Sequence, residues 1–190
     1  MQGGNEKLNK YLSKPLPALE WAEVIALVGD GTMLELGVWQ GKSFWEICRC
    51  AHPRKVYGFD WWRGLPEDWA DQGSKGLLDM HGVPPDCPDN GEWVIGLVRG
   101  TLPDFVPKHP AAAFVHFDMD VYTSTAEALH YLKFQPDAIL VFDEIDGHVR
   151  NVNHEQRAFR EWLEGAPYDF ELLGQRHPES WVIRLIDNQS

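Results

Sequence analysis

Positive charge is scarce in this sequence. The chain of 190 residues carries 17 lysines and arginines against 29 aspartates and glutamates, which gives a formal net charge of −12. This excess of negative charge argues against a phosphate backbone or an anionic membrane surface as a partner. We therefore expect binding neither to nucleic acid nor to membranes.

Long apolar runs are also missing. The early apolar run around residues 21–28 is flanked or interrupted by Glu20 and Glu23, and it is too short to cross a bilayer. The first ten residues lack the apolar centre of a secretory signal. Together these absences predict a cytoplasmic protein.

Cysteine is sparse, with Cys48, Cys50 and Cys87 as the three examples. An odd number without the spacing of a disulfide framework indicates reduced thiols, which agrees with a cytoplasmic chain. Cys48 and Cys50 resemble half of a metal site, but side chains two residues apart on a helix diverge, and no second pair follows. We interpret them as core thiols.

What the sequence does contain is an alternation of apolar strands and helices, without internal repeats. Strands are predicted at 32–36, 55–60, 92–98, 111–118 and 138–144, with a closing pair at 168–176 and 180–186; helices are predicted at 17–31, 42–51, 124–134 and 153–165, and a short helix or turn at 102–108. Ser124 or Thr125 is the predicted cap of the third of these helices. The alternation predicts an α/β domain with a mostly parallel sheet covered on both faces. The closing strand pair has no room for a crossover helix and should be antiparallel.

We expect a single domain over residues 1–190, with an N-terminal helical segment at 1–31. Residues 61–90 are rich in Gly, Pro and Asp, which is typical of a loop, with at most one short helix. We expect this loop to cover the site, with Trp61, Trp62 and Trp69 either as its walls or as core packing.

The stretch "LELGVWQGKS" (34–43) is the first candidate for ligand binding. Its glycines, Gly37 and Gly41, do not match the G-x-G-x-x-G pattern that binds a pyrophosphate. A nucleoside with an amino-acid tail needs a glycine where the tail crosses the backbone and an acceptor for its ammonium group, for which Glu35 is a candidate. Asp60 follows Gly37 at roughly the distance at which an acid holds ribose hydroxyls. The pattern favours S-adenosylmethionine over a nicotinamide cofactor; the alternative is a glycine turn flanked by surface acids.

A second cluster of acids follows the two later strands of the predicted parallel sheet. Asp118 and Asp120 end one strand, and Asp143 and Glu144 end the next. Because the ends of adjacent parallel strands meet, these carboxylates should converge, and their repulsion is relieved by a cation. Hard oxygen ligands suit Mg²⁺ or Mn²⁺. The alternative is that the acids only cap helices.

At these residues the sequence resembles the macrocin O-methyltransferase family, through "LELGVWQGKS", "VYGFDWWRGLPEDW", "VHFDMDVYTSTAEAL", "LVFDE", "HEQRAF" and "SWVIRLI". The resemblance implies a Rossmann-like class I methyltransferase sheet and Mg²⁺-assisted methylation of sugar hydroxyls in natural products. It further implies that Glu35, Gly37 and Ser43 contact the methionine end of S-adenosylmethionine and Asp60 its ribose. Asp118, Asp143 and Glu144 match the family's metal ligands. Gly41 and Gly100 complete the candidate cofactor contacts.

The sequence departs from this pattern in two places. Glu144 replaces the second Asp of some members, which keeps the charge and lengthens the side chain. Val121 occupies the position where catechol-type relatives carry a lysine base, so the base must be another residue. Candidates are Asp118, Asp120 and His116, and also His148 and His154, of which none stands out.

The predicted mechanism is positioning and deprotonation of an acceptor hydroxyl, ideally one of a vicinal pair, on the metal. Two alternatives remain at this point. The segment "FVHFDMD" resembles the D-x-D metal motif of nucleotide-sugar glycosyltransferases, and a non-catalytic cofactor-binding scaffold would show a similar pattern. The acceptor is an unidentified small hydroxylated molecule, and a homo-oligomer is possible.

Overall fold

The computed structural model describes residues 3–12, 15–69, 73–146 and 151–188. The strands are β1 (Thr32–Leu36), β2 (Val56–Asp60), β3 (Gly91–Ile95), β4 (Ala112–Phe117), β5 (Phe134–Phe142), β6 (Tyr168–Gly174) and β7 (Trp181–Asp187). The helices are α1 (Gly3–Tyr11), α2 (Trp21–Ala26), α3 (Lys42–Ala51), α4 (Val98–Phe105), α5 (Tyr122–Tyr131) and α6 (Glu155–Gly165), with short 3₁₀ turns at Val106–Lys108 and Asn151–Asn153. No helix in these ranges has the length and apolarity to span a membrane.

The seven strands form one sheet in the order β3-β2-β1-β4-β5-β7-β6. β1 to β5 pair in parallel, whereas β7 runs antiparallel to both β5 and β6. This confirms the predicted mostly parallel sheet and its antiparallel closing pair. The strand order reverses between β1 and β4, and the crevice at such a reversal is where ligands bind in open α/β sheets.

The sheet is covered on both faces because its central strands are apolar throughout. Every residue of β1 and β4 is buried. Alternate side chains enter two separate cores: Leu34 and Leu36 join the one that contains residues of α1, α4, α5 and α6. Met33 joins the other, with residues of α2 and α3.

Several predicted boundaries differ from the structure. The first predicted helix is shorter, since α2 ends at Ala26, before Gly29. The predicted third strand stops at Ile95, because Gly96 has a positive φ of 145° and Val98 already begins α4. The predicted caps Ser124 and Thr125 lie inside α5, whose N-cap is Val121.

The loop between β2 and β3 contains bends, turns and isolated bridges, and no helix over its described residues, 61–69 and 73–90. Its predicted short helix is therefore not found there. Residues 70–72 lie outside the described ranges.

Candidate functional site

A cavity of about 600 Å³ opens at the carboxyl ends of the parallel strands, beside the reversal in strand order. Its walls are the turn after β1, the loop after β2, the start of α4, the ends of β4 and β5, and the β6–β7 hairpin. Its charged or titratable lining residues are Lys42, Asp60, Asp118, Asp120, Asp143, Glu144 and His177; Gly37, Ser43, Trp61 and Trp69 also line it.

The turn after β1 lies directly against the backbone of β4. Gly37 has a positive φ of 86°, and a Cβ at this position would overlap the carbonyl oxygen of Asp118. The amide of Gly37 donates to Phe59 O at 2.9 Å, and the amide of Asp118 donates to Leu36 O at 2.9 Å. Only glycine fits here, so the turn is fixed between the ends of β2 and β4.

Asp60 organises this side of the cavity. Its Oδ2 accepts the amides of Val38 and Trp39 at 2.9 and 2.8 Å, and its Oδ1 accepts the amide of Trp62 at 2.8 Å. Trp39 and Trp62 both have positive φ, 46° and 53°, a conformation that bulky side chains rarely adopt. The carboxylate therefore holds together the turn after β1 and the start of the loop after β2.

The loop after β2 is attached to the start of α5. The carboxylate of Glu67 accepts the amide of Thr123 at 2.9 Å and its hydroxyl at 2.7 Å. Thr123 is in the first turn of α5, whose amides lack partners within the helix. Of the three loop tryptophans, Trp61 and Trp69 line the cavity, whereas Trp62 is buried in the core, with its Nε1 donating to Trp39 O.

The acids after β4 and β5 line the same cavity, and burial together with their mutual repulsion raises the pKa of three of them. Burial, together with the charge of Asp143, raises the pKa of Asp118 well above its usual range. Burial and the charges of Asp143 and Asp60 raise the pKa of Asp120 to about 7. Burial and the charges of Asp120 and Asp143 raise the pKa of Glu144 to about 8, although the nearby Trp69 side chain lowers it, and its Oε2 is buried without a hydrogen-bond partner among the described residues. Asp120 also has a positive φ of 64°.

Asp143 differs from its neighbours because two histidines approach it. Its Oδ1 lies 2.9 Å from Nε2 of His177 and 3.7 Å from Nε2 of His116. The first is a hydrogen bond, and the second is longer than one. Burial alone would raise the pKa of Asp143, but the two histidines lower it.

Glu35 and His116 form a buried pair beneath the cavity. The two residues are opposite each other on β1 and β4, and Nδ1 of His116 lies 2.9 Å from Oε1 of Glu35. Burial alone would lower the pKa of His116, but its contacts with Asp143 and Glu35 raise it well above the usual value. Ligand atoms of Glu35, His116 and Asp118 lie within 4.8 Å of one another, yet neither Glu35 nor His116 lines the cavity.

The remaining sequence candidates lie away from the cavity wall. Gly41 is the N-cap of α3 with a positive φ of 79°, and a Cβ there would face Pro85. Gly100 is in α4, and neither glycine lines the cavity. His154 is buried at the start of α6 and does not line the cavity; burial lowers its pKa. His148 lies outside the described residues.

A buried acid that the sequence analysis missed connects the two strand ends. Glu155, the first residue of α6, accepts the amide of Met119 at 3.4 Å with Oε1 and that of Glu144 at 3.1 Å with Oε2. Burial raises its pKa well above the usual value. Glu67, His177 and the cavity-lining Lys42 were missed as well. Glu155 is part of the "HEQRAF" segment, Glu67 of "VYGFDWWRGLPEDW" and Lys42 of "LELGVWQGKS", so position in a motif was the available signal for these three.

The donor set fits a hard divalent cation. Asp118, Asp143 and Glu144 all line the cavity, although among the described residues the group whose ligand atoms lie within 4.8 Å of one another is Glu35, His116 and Asp118. The raised pKa values of Asp118 and Glu144 and the unpartnered oxygen of Glu144 indicate that the described residues do not neutralise these charges. Carboxylate oxygens in this number are the ligands that Mg²⁺ and Mn²⁺ prefer.

Comparison with known proteins assigns this fold. Residues 34–145 match the family model described as "Methyltransferase domain". No match was found among curated protein sequences.

Solved structures resemble the chain over nearly its whole length. The calicheamicin methyltransferase CalS11 has a TM-score of 0.66 at 21% identity, covering 95% of this chain and 91% of its own. The O-methyltransferase NovP has a TM-score of 0.62 at 16% identity, covering 95% and 80%. An O-methyltransferase from Bacillus cereus, solved with S-adenosylhomocysteine, has a TM-score of 0.56 at 14% identity, covering 98% and 92%.

At these sequence identities, the similarity to solved structures shows the fold alone. The match to the family model covers more than half of the chain and therefore shows the family. The match also sets aside the glycosyltransferase interpretation. The chain therefore belongs to the methyltransferase-domain family and is an S-adenosylmethionine-dependent methyltransferase with a Rossmann-like class I fold.

Proposed function

We propose that this methyltransferase transfers a methyl group to a hydroxyl of a small molecule with the help of Mg²⁺. The observation that carries the proposal is the group of three carboxylates, Asp118, Asp143 and Glu144, in the same cavity as the turn after β1. An idle site has no need to keep charges that repel one another. Similar structures include a TDP-rhamnose 3'-O-methyltransferase of calicheamicin biosynthesis, which supports a sugar-containing natural product as the acceptor, as does the resemblance to the macrocin family.

The turn and the end of β2 provide the cofactor side of the site. We assign Gly37 and Ser43 to the methionine end of S-adenosylmethionine and Asp60 to its ribose. Asp60 already accepts three amides, but a carboxylate offers about four acceptor positions, so a ribose hydroxyl can still donate to it. Glu35 lies one residue before the end of β1 and is paired with His116, so its contact with the ammonium group stays a prediction. The cofactor contacts of Gly41 and Gly100 stay predictions as well.

The acids provide the acceptor side. When bound, S-adenosylmethionine supplies an activated methyl group and the divalent cation supplies a positive charge that lowers the pKa of a hydroxyl. Asp118, Asp143 and Glu144 would hold the cation. Asp120 lines the cavity outside that set and is our choice as the proton acceptor, whereas His116 does not reach the cavity. Trp61, Trp69 and Leu65 of the loop exclude water from this space.

The cysteines bear on the cellular location of the protein. The three cysteines are free, which supports a reducing, cytoplasmic environment. The absence of a nucleic-acid partner and the possibility of a homo-oligomer stay predictions.

The proposal is tested by a methyl-transfer screen. Purified protein is incubated with S-adenosylmethionine and a panel of glycosides and catechols with vicinal hydroxyls, with Mg²⁺ or with excess chelator, and S-adenosylhomocysteine release is measured. We expect transfer to a hydroxyl in the presence of Mg²⁺ only. Transfer to a nitrogen or carbon acceptor, or equal rates with chelator, would contradict the proposal. Asp104→Asn, which changes an exposed acid of α4 outside the cavity, is the matched control for variants of the acid set.

A further inference from the structure

The hairpin between β6 and β7 brings a histidine into the cavity that neither the sequence motifs nor the proposed mechanism uses. His177 lies in this hairpin and lines the cavity. Its Nε2 is 2.9 Å from Oδ1 of Asp143. The two residues are 34 positions apart in the chain, so the contact is made by tertiary structure.

The backbone of the hairpin is held independently of this contact. Ser180 is fully buried, and its Oγ accepts the amides of Arg176 and His177 at 2.7 and 2.9 Å. The carbonyl oxygen of Glu179 accepts the amides of Ile145 and Asp146, each at 2.9 Å. The hairpin is therefore fixed to the segment that follows β5, where Asp143 also lies.

The contacts of the imidazole define its donor atom. The amide of Glu179 donates to Nδ1 of His177 at 3.4 Å, so Nδ1 acts as an acceptor. In a neutral imidazole the other nitrogen then carries the proton. Nε2–H therefore donates to Asp143, and it does so in the protonated ring as well.

This hydrogen bond contributes little to the fold. The side chains of His177 and Asp143 are 41% and 30% exposed, and a partly exposed ion pair of this kind stabilises a protein only slightly. The bond does, however, restrict Asp143. Both histidines approach the same oxygen, Oδ1, and among the described residues no hydrogen-bond donor is found for the other carboxylate oxygen.

We propose that His177 is a positioning residue that holds the Asp143 carboxylate in the orientation in which it binds the divalent cation. This inference rests on the proposed function, because it assumes the cation. It also gives the antiparallel strand pair a role beyond extending the sheet. The β6–β7 hairpin supplies the hydrogen-bond donor, His177, to the proposed metal-binding residue Asp143, which follows β5. Outer groups that orient metal ligands in this way commonly change metal affinity by about 10–100-fold when they are removed.

The test uses Mn²⁺ binding to the full-length protein saturated with S-adenosylhomocysteine, measured by calorimetry. His177→Leu removes the donor and keeps an apolar side chain, whereas His177→Gln keeps an N–H donor. We expect His177→Leu to weaken Mn²⁺ binding by about 10–100-fold and His177→Gln to recover part of the loss. Affinity for S-adenosylhomocysteine and the melting temperature should stay near those of the unmodified protein. His130→Leu, a change at an exposed histidine of α5, is the control and should have no effect on any of these.

Three results would overturn the inference. Unchanged Mn²⁺ affinity in His177→Leu, while Asp143→Asn loses Mn²⁺, would leave the metal site standing and remove His177 from it. Equal losses of Mn²⁺ affinity, cofactor affinity and melting temperature in both His177 variants would assign the residue to folding alone. If the unmodified protein binds S-adenosylhomocysteine but no Mn²⁺, the metal part of the proposed function fails and this inference fails with it, a pattern distinct from the other two.

Discussion

Asp60 and Glu144 both mark the carboxyl end of a strand in the parallel sheet, but their carboxylates have different partners. Asp60 accepts three backbone amides, from Val38, Trp39 and Trp62. Glu144 has an oxygen that is buried and finds no partner in the part of the chain that the structure describes, and burial and neighbouring acids raise its pKa to about 8. The described residues therefore satisfy the acid on one side of the cavity and leave the carboxylates on the other side incompletely paired.

The difference indicates which side depends on an added ion. A carboxylate that is satisfied by amides keeps its geometry without a ligand, whereas packed carboxylates repel one another until a cation or protons arrive. We therefore expect cofactor binding to depend on Asp60 and its turn, and catalysis to depend on the cation at Asp118, Asp143 and Glu144. The following experiments test this division.

The largest effect is expected from removing a proposed metal ligand. In Asp143→Asn, turnover on the identified acceptor should fall by about 100-fold or more, because loss of metal stabilisation removes several kcal/mol and about 1.4 kcal/mol corresponds to a tenfold change in rate. Excess chelator should have the same effect on the unmodified enzyme. Calorimetry with S-adenosylhomocysteine should show nearly unchanged affinity in both cases.

The control for this variant is Asp104→Asn, which should keep full turnover. Full activity of Asp143→Asn in excess chelator would show that the acids serve only structural roles and that transfer proceeds without a metal.

The next effect concerns the other side of the cavity. Asp60→Ala should weaken S-adenosylhomocysteine binding by about 1–3 kcal/mol, since a charge-assisted hydrogen bond is lost and three amides lose their acceptor. Asp60→Asn, which keeps one acceptor oxygen, should lose less. If calorimetry shows unchanged S-adenosylhomocysteine affinity in Asp60→Ala, Asp60 does not bind the ribose. The division between a cofactor side and a metal side of the cavity then fails as well.

A third experiment tests the buried acid that joins the ends of β4 and β5. Glu155→Ala leaves the amides of Met119 and Glu144 without their acceptor and should lower the free energy of unfolding by about 1–3 kcal/mol. Urea denaturation measures the change. Glu161→Ala on the same helix removes exposed pairs with Tyr122 and Arg157 and should lower it by about 1 kcal/mol or less. Equal changes in the two variants would mean that Glu155 does not organise the site.

The smallest effect is expected in the loop after β2. Glu67→Ala removes an acceptor from the first turn of α5, a change that costs about 0.5–2 kcal/mol at helix N-termini, and should speed hydrogen exchange in residues 61–69. In the unmodified protein, S-adenosylhomocysteine should slow exchange across the loop, as expected for a cover over an active site. Exchange at the level of the core strands both with and without ligand would show that the loop is fixed structure.

The sequence predicted the sheet and the acids at its edge because both depend on local pattern. β1 and α3 have the predicted bounds, and Asp60, Asp118 and Asp143 end or follow strands as expected. Continuous apolar runs with glycine or acid at their ends are strong signals of buried parallel strands.

Glu35 illustrates the limit of that pattern. It lies one residue before the end of β1, so pleating turns it to the face opposite Leu34 and Leu36, where His116 of β4 is its partner. Counting alternation back from the strand end would have given this orientation. The contacts of Glu67 and His177 had no such local signal, because each joins segments that come together only in the folded chain.

The contact between Gly37 and the backbone of Asp118 has a consequence for how acceptor preference can diversify. The spacing between the turn that we assign to the methyl donor and Asp118, directly after β4, is set by a contact between two stretches of main chain. Reaction geometry tolerates little displacement, and here it is protected from substitutions in the loop after β2. That loop can therefore vary to admit new acceptors while the distance over which the methyl group travels stays constant.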